Sequence, residues 1–231
     1  MATTTVKNKT NSVIKNTTRH ITPSRTVARL ALYRRLLVHA KEDGTRTIYS
    51  YEMGERLGIN PAQVRRDLME VGFLGHPRHG YEVRGLLGKL DSYFGIDQSI
   101  RMVLVGAGNL GRAILGHFAA QPSHIALEAA FDTDPEKAGR VLHGCRCHPL
   151  ERLAEIVAGR GVDVGIIAVP PAAAQKTADL LVAAGVRGLL NFAPARLSVP
   201  EGVFVEDIDV TLAVEKVGYF AKNRAPRRRK A

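Results

Sequence analysis

The chain has 231 residues, 45% of them apolar, which is enough for one large or two modest hydrophobic cores. It lacks an apolar run of about 18 residues, and its first twenty residues are rich in Thr, Asn and Lys, so neither a membrane span nor a secretory signal is read and the cytoplasm is expected. The net charge of +11 is uneven: residues 1–90 hold 16 basic against 7 acidic side chains, 91–220 hold 11 against 15, and 221–231 hold 6 against none, so the N-terminal part carries the footprint expected of a polyanion binder.

In chain order, residues 1–22 read as a disordered basic arm, followed by a DNA-binding unit over 23–95. A first helix runs from Ser24 toward Gly44, with Val27, Leu30, Leu37 and Val38 apolar among Arg29, Arg34 and Arg35. Ser50 is placed as the cap of a short helix, Tyr51 to Leu57, that ends at Gly58; Asn60-Pro61 then starts a third, Ala62 to Val71. Short helix, glycine turn and second helix make the helix-turn-helix plan. Gln63, Arg65 and Arg66 face away from Val64, Leu68 and Val71, which leaves them free for base edges and phosphates; an ordinary amphipathic surface helix would show the same pattern. Residues 72–83 predict two short strands around a turn bearing Arg78 and His79, a basic wing, and Leu86 to Phe94 a connecting helix.

Over 96–207 strands and helices alternate: strand 100–105, helix 110–120, strand Ile125 to Phe131, helix Pro135 to Leu142, a strand near Cys145, helix Leu150 to Ala158. Strand Val162 to Val169, helix Ala172 to Ala184, strand Gly188 to Phe192 and strand Val203 to Val205 follow. This predicts an α/β Rossmann unit, a doubly wound parallel sheet behind the winged helix-turn-helix. A terminal helix over 208–220 carries Val210, Ala213, Val214, Val217 and Phe220 on one stripe, and 221–231 is a basic tail. Cys145 and Cys147, with only His143 and His148 near, have poor zinc spacing and read as structural thiols; no metal site is expected.

The first strand of this unit runs into Gly106-Ala107-Gly108-Asn109-Leu110-Gly111 and then into a helix, the arrangement that cradles a pyrophosphate. Asp132, at the end of the second strand, is 21 residues past Gly111, where a carboxylate accepts from ribose hydroxyls and repels a 2′-phosphate, favouring NAD(H) over NADP(H). Asp132 and Asp134 could equally make an Asx turn before Pro135. Val169-Pro170 and Asn191-Phe192-Ala193-Pro194 fall at carboxyl ends of parallel strands and suit a flat nicotinamide ring. No hydride-transfer apparatus stands at these tips, so no catalytic residue is assigned, His148 being the nearest candidate.

Taken together, the winged helix, Val105 to Gly111, Phe131-Asp132-Thr133-Asp134-Pro135, Asn191 to Pro194 and the terminal helix resemble the Rex redox-sensing transcriptional repressors over about residues 25–220. The resemblance implies a homodimer that exchanges the terminal helix over 208–220, binds double-stranded operator DNA and releases it when NADH replaces NAD⁺. It assigns the pyrophosphate to Gly106, Gly108 and Gly111, the ribose to Asp132, the nicotinamide to Val169, Pro170 and Asn191 to Pro194, and DNA to Arg65 and Arg66. Met69-Glu70-Val71-Gly72 replaces the family's aromatic Ser-Tyr-Phe-Gly run, Pro77-Arg78-His79 departs from its usual wing, and His117 stands where a switch-linked tyrosine is often found. The rival readings are an NAD-dependent oxidoreductase with an N-terminal accessory domain and a CoA- or nucleotide-binding scaffold sharing the glycine turn.

Overall fold

A computed structural model describes residues 22–75, 79–96, 98–120 and 124–223. The expected N-terminal arm, all but its last residue, the wing residue Arg78 and most of the basic tail lie outside them. Contacts divide the chain into two compact units that meet in sequence at Phe94 and Gly95.

The first unit contains α1 (Ser24–Glu42), β1 (Thr47–Ile48), α2 (Ser50–Leu57), α3 (Pro61–Glu70), β2 (Tyr81–Glu82) and α4 (Val83–Phe94). Its core is one cluster, including Leu30, Tyr33, Leu37, Ile48, Met53, Val64, Leu68, Leu86 and Leu90, each removed from water. Asn60 caps α3 by accepting the Ala62 N–H at 2.8 Å, with Pro61 at the first helical position as expected. Ser50 proves to be the first residue of α2 rather than its cap; the turn is closed by the Glu52 carboxylate, which accepts the Tyr49 N–H at 2.7 Å.

The expected hairpin within 72–83 is replaced by a non-local one. Gly72, at φ +72°, ends α3, and the Phe73 N–H donates to the Leu68 carbonyl while Gly72 donates to that of Met69, a Schellman closure that takes up the segment expected to be the first strand. Tyr81–Glu82 pairs antiparallel with Thr47–Ile48, which lies before α2.

In the second unit β3 (Ile100–Val105), β4 (Ile125–Asp132), β6 (Cys145–Pro149), β7 (Val164–Ile167), β8 (Gly188–Asn191) and β9 (Phe204–Asp207) are mutually parallel, in the spatial order β6-β4-β3-β7-β8-β9. A short β5 (Val141–Leu142) adds antiparallel to β6 at one edge. The order reverses between β3 and β7, and that is the doubly wound arrangement. Helices α5 (Asn109–Ala119), α6 (Leu153–Arg160) and α7 (Pro171–Ala183) cover it. Val103 and Val105 of β3 join one buried cluster with Phe131, Leu153 and Leu181; Met102 and Leu104 join another with Leu115 and Cys147. Burial on both faces explains why β3 is an unbroken apolar run.

The helix expected over Pro135 to Leu142 does not form. The chain makes a turn closed by Lys137 and Ala138 N–H groups on the Asp134 carbonyl, and Gly139 at φ +85° redirects it so that its N–H meets the Cys147 carbonyl and β5 can pair with β6. Cys145 and Cys147 are both free and buried; burial pushes the Cys145 thiol up to about 11, so it is inert at neutral pH. Helix α8 (Val210–Asn223) follows β9 and buries none of its residues; Val210, Val214, Val217 and Phe220 are 61–66% exposed. Among the described residues no helix is long and apolar enough to cross a membrane, and no cluster of potential ligands could hold a metal ion.

Candidate functional site

In the first unit the centre of α3 is organised by Asp67, a fully buried carboxylate. Arg29 of α1 donates to it through Nε at 2.6 Å and Nη2 at 2.7 Å, Tyr33 through its hydroxyl at 2.8 Å, and Gln63 through Nε2 at 2.7 Å. Burial opposes the Asp67 charge, but these bonds outweigh it and hold the carboxyl below the usual aspartate range. Gln63, expected to read bases, is therefore committed to its own helix. Arg65 points across to α2, donating from Nη1 to the Ser50 hydroxyl at 3.1 Å. Arg66 is exposed and makes no side-chain hydrogen bond or ion pair among the described residues. His79 stands beside Gly80 and the start of β2, and Arg78 lies outside the described residues.

In the second unit the carboxyl ends of β3, β4 and β7 frame a cleft of about 380 Å³. It is lined by Gly106, Gly108, Asp132, Val169 and Pro170 of the expected set, together with Lys137, Leu150, Ala173 and Thr177, among others. The three glycines have three different surroundings. Gly106 adopts φ +100°, and a Cβ there would collide with the Ala168 carbonyl oxygen; at Gly111 it would collide with the Gly106 carbonyl, so helix and strand touch at that point. A Cβ at Gly108 would meet nothing within 4 Å, which leaves open space where α5 begins and the N–H groups of its first turn are unclaimed by the helix. That is the cradle a phosphate group requires.

Asp132 lies at the tip of β4, and its carboxylate accepts the Ala107 N–H at 2.8 Å and the Asp134 N–H at 2.9 Å, with the Lys137 ammonium at 3.3 Å. It thus combines the Asx turn with a tie to the glycine turn, and the Ala107 N–H is spent on it. Lys137 also meets Asp134 at 3.3 Å; burial works against its charge, but the two carboxylates prevail and raise its pKa. Sequence reasoning missed Lys137 because it assigned the segment to a helix, although a lysine three residues past an Asp-x-Asp strand tip was a usable signal. Asn109 begins α5 and accepts from Arg112 at 2.8 Å, and Leu110 is exposed on the same turn.

The expected nicotinamide group divides. Val169 and Pro170 line the cleft, but Asn191 is buried and fully engaged: Nδ2 donates to the Ala195 carbonyl at 2.9 Å and to Asp207 at 2.8 Å, and Oδ1 accepts the Ala193 N–H at 3.0 Å. Phe192 packs on the α5-side apolar layer. Ala193 and Pro194 line a second cleft, about 370 Å³, with Asp209 and Leu212 at the root of α8. His148, the nearest candidate in the sequence for acid–base chemistry, sits against Phe131 with its pKa lowered by burial and by Arg152, Arg146 and Arg160, and it lines neither cleft.

Comparisons with known proteins fall on the same two units. Residues 22–68 match a family described as putative DNA-binding protein N-terminus, and residues 97–195 match the CoA binding domain family. Proteins called redox-sensing transcriptional repressor Rex are similar along most of the chain: that of Listeria monocytogenes is 39% identical over 87% of this chain and 94% of its own, and that of Leuconostoc citreum 36% over 87% and 93%. Among solved structures, RSP, a Rex-family repressor, in complex with β-NAD⁺ and operator DNA superposes with a TM-score of 0.82 at 31% identity, covering 87% of this chain and 93% of that one. Its complex with β-NADH gives 0.78 at 30% identity, covering 87% and 95%.

Proposed function

The chain belongs to the Rex family of redox-sensing transcriptional repressors, and we propose that it binds operator DNA through its winged helix, holds NAD(H) in the cleft at Gly106 to Gly111, and releases DNA when NADH replaces NAD⁺. The observation that carries this reading is the glycine cradle: Gly106 and Gly111 are forced by main-chain approach, while Gly108 leaves its Cβ position empty at the start of a helix. Gly108 and the first turn of α5 would receive the pyrophosphate, Asp132 with Lys137 the adenosine ribose, and Val169 and Pro170 the nicotinamide side. The relatives named for operator DNA, NAD⁺ and NADH support both ligands. On this reading binding is itself the output and no substrate is turned over, which sets the oxidoreductase alternative aside.

Residues 23–95 act as the DNA-binding domain, 96–207 as the NAD(H) domain and 208–220 as the exchanged helix of a cytoplasmic homodimer. The exposed stripe Val210, Val214, Val217 and Phe220 supports the dimer, since leaving four such side chains in water forgoes about 1.5–3 kcal/mol each. NADH and DNA then oppose one another through linkage: each ligand shifts the dimer by its differential affinity for two arrangements. The test is to recover the bound promoter by genomic footprinting and titrate NADH into the complex of the full chain with that labelled DNA. Release by NADH but not by NAD⁺ is expected; DNA affinity indifferent to both overturns the redox-sensor reading.

A further inference from the structure

A concavity in the winged-helix unit, about 520 Å³, is lined by Tyr49, Ser50, Tyr51, Arg65, Gly75, Gly80 and Tyr81. Three features distinguish it from a surface dimple. Its walls are fixed by close approach: a Cβ at Gly75 would run into the Tyr81 ring, and one at Gly80, where φ is +67°, would sit 2.8 Å from the Ile48 carbonyl and 3.1 Å from the Tyr49 ring. Its cation is aimed, because Ser50 accepts from Arg65 and draws the guanidinium to the start of α2. Its lining offers a donor: the Tyr81 ring is buried, 5% exposed, while its hydroxyl is not sealed from solvent and makes no hydrogen bond among the described residues. Burial pushes the Tyr81 phenol up, although the Arg65 charge opposes this, so the O–H is retained as a donor at neutral pH.

Tyr51 adds a second phenol at the rim; it is 57% exposed, stacks on Tyr49 with ring centroids 5.4 Å apart, and its hydroxyl is likewise unbonded among the described residues. The acid of the turn, Glu52, is folded back onto the Tyr49 N–H. A guanidinium and two phenolic donors around one concavity suit a tetrahedral anion with several acceptor oxygens. We propose that this concavity seats one backbone phosphate of duplex DNA, held by Arg65, the Tyr81 hydroxyl and the Tyr51 hydroxyl, which makes Arg65 a phosphate contact that fixes register and leaves Arg66 as the base-reading arginine of α3. The proposal rests on the DNA-binding reading of this unit and deepens it.

The experiment measures binding of the full chain to a mixed-sequence fluorescent duplex at increasing salt, with NADH binding and thermal unfolding of each variant as checks of the fold. Arg65→Ala is expected to lower the slope of log affinity against log salt by about 0.9 for each winged helix bound. Tyr81→Phe and Tyr51→Phe remove neutral donors, so each weakens binding by up to about tenfold with the slope unchanged. Because the phosphate is shared, the Tyr81→Phe effect shrinks in the Arg65→Ala background but persists in full in the Arg66→Ala background. Tyr81→Phe binding like the unmodified chain, or an undiminished effect beside Arg65→Ala, overturns the shared phosphate site. An unmodified chain with no salt-dependent DNA binding overturns the repressor reading itself, a result distinct from indifferent variants of a chain that binds.

Discussion

Each unit is organised around one aspartate, but the two are wired differently. Asp67 gathers side chains from α1 and α3, so the orientation of the proposed recognition helix depends on Arg29, Tyr33 and Gln63 meeting one carboxylate. Asp132 gathers main-chain N–H groups of Ala107 and Asp134 and one ammonium, so it holds the shape of a loop. The first arrangement fails when a charge is lost; the second fails when the backbone is forced to move. A DNA-reading surface whose contacts are long side chains can be held by side chains, whereas a phosphate cradle built of N–H groups needs the main chain itself to be fixed.

The largest effect expected from this contrast comes from the backbone. Gly111→Val places carbon against the Gly106 carbonyl and should reduce NADH affinity more than about 100-fold in fluorescence titrations, since about 3 kcal/mol of strain is a modest demand for such overlap. DNA binding without cofactor should persist, and NADH affinity within a few-fold of normal would contradict the cradle. Next in size, Asp67→Ala should destabilise the first unit by about 3 kcal/mol in urea, because Arg29 and the Tyr33 hydroxyl lose a buried partner. Tyr33, Tyr49, Tyr51, Tyr81 and Tyr93 lie in that unit against Tyr219 alone in the other, and there is no tryptophan, so tyrosine emission follows the winged helix selectively.

The same probe tests pH. The folded Asp67 carboxyl is held below its unfolded value, so its stabilisation is complete above the ordinary aspartate range and is lost as pH falls through and below that range. Acid should therefore change tyrosine emission of the unmodified chain more steeply than that of Asp67→Asn, which has no such charge to lose; the same acid response in both would contradict the assignment. Smallest is Arg66→Ala, which should weaken DNA binding by about 1–3 kcal/mol in anisotropy measurements while leaving unfolding within about 0.5 kcal/mol of normal.

What could be read in the sequence divides along similar lines. The glycine turn, the alternating strands and helices, and the apolar stripe of α8 were legible because each follows from local spacing. Gln63 was misjudged as free because its partner belongs to a hub completed by Arg29, 38 residues from Asp67. The pairing of Thr47–Ile48 with Tyr81–Glu82 involves two-residue strands, too short to show a period. Pro135 to Leu142 carried helical composition, but Gly139 in the left-handed region turned the chain back. Asn191 stands at the strand tip where the spacing puts it, but its buried amide closes the tip instead of lining the cleft.

That amide also governs where the last helix starts. Asn191 grips Asp207, and its own carbonyl accepts the Ile208 N–H at 2.8 Å, two residues before α8 begins. An arm of 14 helical residues reaches about 21 Å, so an angular error at its root is magnified along its length. Asn191, itself buried, therefore works as the bearing of a lever: it sets the direction in which the exposed face of α8 projects, and on the proposed exchange it would set where that arm meets a second copy.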